Sequence, residues 1–240
     1  MKMRHFIGLG IAGALFAPAA ARAAAPTLVP PGIGTDAIRT MLILTMLAVV
    51  PAIVISMTSF IRIVVVLSMV RHAFGMPETP PNPVLVSLAL FLTAFTMSPT
   101  FTAVNAGALQ PLMAGKISVE QAMTSGSGPL RDFMLAQTRD SDIEAIYAIA
   151  KTPVPDRPEQ VEILKLAPAF ILNELRVAFT IGFVILLPFL LIDLVVASIL
   201  LALGMMMVPP ATISLPIKIL MFVLIDGWSL ILQGVLGSFR

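Results

Sequence analysis

Residues Leu186–Trp228 read LLPFLLIDLVVASILLALGMMMVPPATISLPIKILMFVLIDGW, and only Asp193, Lys218 and Asp226 among them carry charge. The pattern predicts two apolar helices meeting at a tip, Gly204–Pro210, that holds three consecutive methionines and a double proline. A water-soluble domain cannot cover that much continuous apolar length, and a simple anchor has no use for the charges. The stretch therefore points to a membrane-embedded assembly whose function sits at the tip and in a few buried ions.

Composition extends the argument to the whole chain. Its 240 residues are 58% hydrophobic and 12% charged, against about 25% charged in ordinary globular domains. The absence of cysteine excludes disulfides, thiolate metal sites and thiol nucleophiles. Lys2, Arg4 and His5 precede an apolar run from Phe6 to Ala17, and both Ala21-Arg22-Ala23 and Ala23-Ala24-Ala25 fit the small-x-small rule for signal cleavage. An uncleaved first membrane helix is the alternative, but about 12 apolar residues are too few to cross about 30 Å of hydrocarbon. Residues 1–25 are accordingly expected to be a cleaved signal peptide. Cleavage removes Lys2, Arg4 and Arg22, taking the net charge from +2 to −1. The mature chain then has no basic surface for nucleic acid. His72 remains as its one histidine, so neither a histidine metal site nor any cofactor is expected.

Four apolar segments follow the leader: Thr40–Ile61 with its continuation Ile63–Val70, then Val84–Leu109, Val177–Leu203 and Ala211–Phe239. Prolines 51, 99, 188 and 216 lie inside them; each removes a backbone hydrogen bond and favours a bend. Residues 107–166 differ, with six Lys/Arg against eight Asp/Glu. Ser118-Val119-Glu120-Gln121 and Ser141-Asp142-Ile143-Glu144 read as capping boxes, Pro129 as the start of another helix, and Lys151–Pro158 as an extended connector. The expected fold is an all-α membrane protein: two bent helical hairpins, built from four hydrophobic helical segments, with a small helical external domain between them. The expected boundaries are 26–106 for the first hairpin, 107–166 for a periplasmic helical domain and 167–240 for the second hairpin. A cleaved leader puts the new amino terminus outside. The Arg71–Asn82 turn and the Gly204–Pro210 tip then face the cytoplasm, with Arg71 agreeing with the positive-inside rule.

The two turns share a pattern. Gly75-Met76 precedes Pro80-Pro81 as Gly204-Met205 precedes Pro209-Pro210, both G-M-x-x-x-P-P. Either the hairpins are a diverged repeat or two turns rich in glycine and proline have come to look alike.

Five blocks resemble the flagellar biosynthetic protein FliP family and its counterparts in virulence-associated type III secretion. They are PAIVISMTSFIRIVVVLSMVRHAFG (51–75), PPNPVLVSLALFLTAFTMSP (80–99), PLRDFMLAQTR (129–139), LAPAFILNELRVAFTIGF (166–183) and PFLLIDLVVASILLALGMMMVPPATISLPIKILMFVLIDGW (188–228). Asn173 and Thr180 depart from residues usual in the family, and KTPVPDRPEQ falls in a variable region. The resemblance implies a non-enzymatic export-gate subunit in the bacterial inner membrane, within the flagellar basal body. It also implies partners: about five copies of the chain with the Q and R export-gate subunits, in a conical helical assembly partly lifted from the lipid plane. Other membrane subunits of the export apparatus, unfolded secreted proteins and lipid complete the set.

Under that resemblance Met205, Met206 and Met207 become a pore seal. Methionine is unbranched and polarizable and repacks around different shapes, whereas without the resemblance the three read as filler at a helix end. Gly204 lets the chain leave the helix, and Pro209 and Pro210 stiffen its return. Arg62, Arg176 and Lys218 against Glu174, Asp193 and Asp226 are expected to form buried ion pairs, because a lone charge at mid-bilayer costs at least about 3 kcal/mol. The rival reading is an ion- or proton-coupled transporter using Asp193 and Asp226. Gly75, Ala89, Ala94, Ser98, Ala197, Ser198, Ala202 and Gly204 are expected at close helix contacts, and Trp228 as an interfacial anchor. Motifs for phosphate binding, metal-assisted hydrolysis or acyl transfer are not found in the sequence.

Overall fold

The computed structural model describes residues 33–76 and 78–239; the expected leader lies outside the described residues. The chain divides into two compact units, Met1–Met46 and Leu47–Arg240. In the first, the described backbone is helical from Ile33. The second holds the packed elements.

Every regular element among the described residues is helical, as the all-α expectation requires. In chain order they are α1 (Ile33–Ser56), α2 (Phe60–Ala73), α3 (Asn82–Thr96), α4 (Ser98–Val104), a π-helical turn (Asn105–Leu109), α5 (Gln110–Met113), α6 (Val119–Gln137), α7 (Asp140–Ile149), a 3₁₀ turn (Pro158–Gln160), α8 (Ile163–Ala202), α9 (Pro210–Leu224) and α10 (Gly227–Leu236). Among the described residues, α8 is the one helix long and apolar enough to cross a membrane unbroken; α3 with α4–α5, and α9 with α10, qualify only if each bent pair is one span.

The bends do not sit where most of the prolines do. Pro51, Pro188 and Pro216 lie inside uninterrupted helices. Each deletes one hydrogen bond of the ladder, which a long apolar helix tolerates. The breaks fall elsewhere, where another group competes with the ladder. Between α1 and α2, Thr58 bonds back to the Val54 carbonyl while its hydroxyl accepts the Phe60 N–H at 3.3 Å, a local alternative to helical pairing. Between α9 and α10 the backbone turns by 67° through Asp226 in the left-handed region at φ 49°. A Cβ at the next residue, Gly227, would stand 2.2 Å from the Phe222 ring. Only Pro99 marks a bend: α3 and α4 meet at 64° just before it, at buried Met97.

Two apolar clusters organise the second unit, and α8 belongs to both. In one, Ile63, Val66, Leu67 and Val70 of α2 pack with Ala178 and Phe189 of α8, Phe222 of α9 and Ile231 of α10. Phe74 meets Phe189 and Phe222 edge-on, with centroids 5.4 and 4.8 Å away. In the other, Met134 of α6 and Tyr147 of α7 close on Leu166, Ala169 and Phe170 near the start of α8. The expected division at 166/167 falls inside α8, where helical backbone continues past Lys165 into the apolar run, and that at 106/107 falls inside the π turn, within uncharged helical backbone that continues to Met113.

Local expectations divide in the charged region. Ser118 and Gln121 form the reciprocal capping box, with bonds of 3.0 and 3.2 Å. Ser141 forms no such box: the N-cap of α7 is Arg139, two residues earlier, and it makes no side-chain cap. Pro129 starts no helix and sits within α6. The expected connector Lys151–Pro158 is non-helical over 151–157, and Pro158 opens the 3₁₀ turn. Ala89 is fully buried, but Ala94, Ser98 and Ala202 are exposed on this chain. Helix α8 approaches α2 closely at Gly182, where a Cβ would lie 2.2 Å from the Met69 sulfur.

Candidate functional site

Arg62, near the start of α2, is 1% exposed and is one of the largest fully buried side chains of the molecule. Its Nε donates to Glu174 Oε2 at 2.9 Å, and Nη2 completes a bidentate pair with Oε1 of the same carboxylate. Nη2 also donates to Gln137 Oε1 at 3.3 Å. Nη1 donates to the Ser238 carbonyl and hydroxyl, each at 2.9 Å. All five guanidinium hydrogens thus have acceptors, drawn from α6, α8 and the turn after α10. Beside them Asn173 donates to the Gln137 carbonyl. A buried pair with excellent geometry can offset its desolvation, whereas removal of one member strands the other.

A second charge site lies higher along α8. Lys218 of α9, itself buried, donates to Asp193 Oδ2 at 2.6 Å and to the carbonyl of Ala73, the last residue of α2, at 3.1 Å. One ammonium thereby ties three helices, and the Asp193 side chain stays 41% exposed. The remaining two expected charges are placed differently. Arg176 is half-exposed and makes a bidentate pair with Asp142 of α7, at 2.6 and 2.8 Å. Its partner thus comes from the charged segment and not from another apolar helix. Asp226 is exposed at the α9–α10 bend and has no ion pair among the described residues.

The methionine tip is built by backbone chemistry. Gly204 adopts φ 71°, a conformation costly for residues with a Cβ. The N–H of Gly204 bonds the Leu201 carbonyl at 3.0 Å and that of Met205 the Leu200 carbonyl at 2.9 Å. Together these form a Schellman motif that satisfies the last carbonyls of α8. Pro209 stands at the N-cap of α9 and Pro210 at its first position, where a missing N–H costs nothing. Between them Met206 and Met207 are 81% and 97% exposed. Gly75 also takes the left-handed conformation, at φ 78°, directly after α2, so both G-M-x-x-x-P-P turns leave their helices the same way.

Sequence reasoning missed Gln137, Asp142, Ala73 and Ser238. Ser238 lies 176 positions from Arg62, and no periodicity links them. Asp142 carried a signal in hindsight: it is an acid at a buried position of an amphipathic helix, a place where a partner is required. The Ala73 contact uses a main-chain carbonyl, which any residue supplies.

These elements define a class: a helical, membrane-type protein whose apolar segments are tied by embedded ion pairs and end in an exposed methionine turn. The chain matches the FliP family over residues 43–235, which include the tip and every expected charge. It is 51% identical over 205 residues to the flagellar biosynthetic protein FliP of Pectobacterium carotovorum subsp. carotovorum, covering 85% of this chain and 80% of that protein. The protein of the same name from Bacillus subtilis is 48% identical, with coverage of 85% and 93%. That of Rhizobium meliloti is 46% identical over 234 residues, with coverage of 96% and 94%. The chain belongs to the FliP family of flagellar biosynthetic proteins.

Proposed function

We propose that this chain is an export-gate subunit of the flagellar type III secretion apparatus, and that Met205–Met207 form part of a deformable seal across the conduit for unfolded secreted proteins. One observation carries the reading: a rigidly capped turn presents Met206 and Met207, 81% and 97% exposed, at the end of two apolar helices. A monomer gains nothing from displaying such side chains, whereas a ring of copies can close them around an axis. Thioether side chains then yield around a passing polypeptide and close against small ions. About five copies, with the Q and R subunits, would build the ring in the inner membrane of the basal body. The region around α6 and α7 would face the periplasm, and the two helical hairpins would lie within the assembly.

The charges fit a structural part in this scheme. Asp193 is engaged with Lys218 and Asp226 is not joined to it, which argues against a relay through the two acids. Simultaneous substitution of Met205, Met206 and Met207 by alanine should raise small-ion conductance of export-competent membranes while retaining partial export. Unchanged conductance in assembled complexes would remove the seal from the proposal.

A further inference from the structure

The turn after α10 reaches the Arg62 site with two residues, Ser238 and Phe239, that lie beyond the stretch matching the family. Ser238 accepts both Nη1 hydrogens, through its carbonyl and its hydroxyl, each at 2.9 Å. The hydroxyl is itself oriented, since it donates to the Val235 carbonyl at 2.6 Å. The Phe239 ring centroid stands 4.0 Å from the guanidinium carbon, well inside cation–π range. Ser238 also lines a polar cavity of about 370 Å³ that Arg62, Gln137 and Asn173 share. Phe239 lines an apolar one of about 390 Å³ with Pro99, Pro129 and Phe133. Take the turn away, and Nη1 is left as two buried donors without acceptors. Water entering from the polar cavity would then weaken the Arg62–Glu174 attraction by raising the local dielectric.

We infer that Ser238 and Phe239 are positioning residues, a latch that completes the Arg62 site and fastens the end of α10 to α2, α6 and α8. The latch acts on the cation, so the chemistry of these two side chains matters more than their bulk. It is independent of the methionine seal, and the two can fail separately.

The test uses the full chain, purified in detergent with its co-assembling partners, and follows thermal unfolding. Ser238→Thr keeps the hydroxyl and Phe239→Trp keeps the aromatic face; both should melt within about 1 °C of the unaltered protein. Ser238→Val matches Thr in shape and removes the hydroxyl acceptor while the main-chain carbonyl still meets Nη1, and Phe239→Leu removes the aromatic face over the guanidinium; each should melt about 2–4 °C lower, the shift expected for roughly one lost interaction in a chain of this size. Introduced into an Arg62→Met/Glu174→Leu background, the Val and Leu changes should lose their effect. Equal melting of the Leu and Trp variants, or an undiminished effect of Leu without Arg62, would overturn the latch and leave ordinary apolar packing. Should the charge-free background fail to fold, the Trp-against-Leu comparison in the native background decides alone.

Discussion

The Arg62 site and the methionine tip handle unusual side chains in opposite ways. At Arg62 a costly group is hidden completely, and five acceptors from three parts of the chain surround it. At the tip, Met206 and Met207 are left in the open while the backbone beneath them is locked by Gly204 and Pro209-Pro210. The first region is specified through side chains and depends on the whole fold. The second is specified through local backbone preferences, which leaves its side chains free to meet another molecule. The Lys218 site lies between these extremes, with a buried cation and a partly open acid.

The contrast can be broken by substitution, and the largest effect belongs at the hidden site. Glu174→Gln leaves the Arg62 cation buried without its counter-charge, and should cost about 3–5 kcal/mol. Thermal unfolding of the purified protein, together with its cellular level, checks this. A paired Arg62→Met/Glu174→Leu replacement should recover most of the loss, because no stranded charge remains. Gly204→Ala comes next. A Cβ there meets nothing within 4 Å, so the expected cost of about 1–2 kcal/mol is that of the left-handed backbone alone, and Gly204→Asn should cost less. The smallest effect belongs to the tip. Met207→Ala should change stability by less than about 0.5 kcal/mol, as for other exposed positions, although the seal proposal makes it leaky. A large loss of stability in Met207→Ala would erase the distinction between the two regions.

Much of the fold was legible because its signals are local or compositional. Charge-free length marked the apolar helices, the Ser118–Gln121 box marked the start of α6, and glycine and proline marked both turns. Legibility failed where outcomes depend on competition. Proline looked like the agent of bending, yet Pro51, Pro188 and Pro216 were absorbed while Thr58 and Asp226 sit at the breaks. For the charges, the need for partners was readable from the cost of burial, but their choice was not. Arg176 could have turned to any nearby acid, and its geometry selected Asp142 of another helix.

By itself the sequence determined an all-helical, membrane-type chain with a methionine turn and a handful of charges in apolar surroundings, because hydropathy, glycine and proline act over a few residues. Tertiary structure alone decided which acid met which base, that Asp226 stayed outside, and that Ser238 and Phe239 closed over Arg62. Those outcomes depend on distances across the packed helices, and no spacing along the chain encodes them.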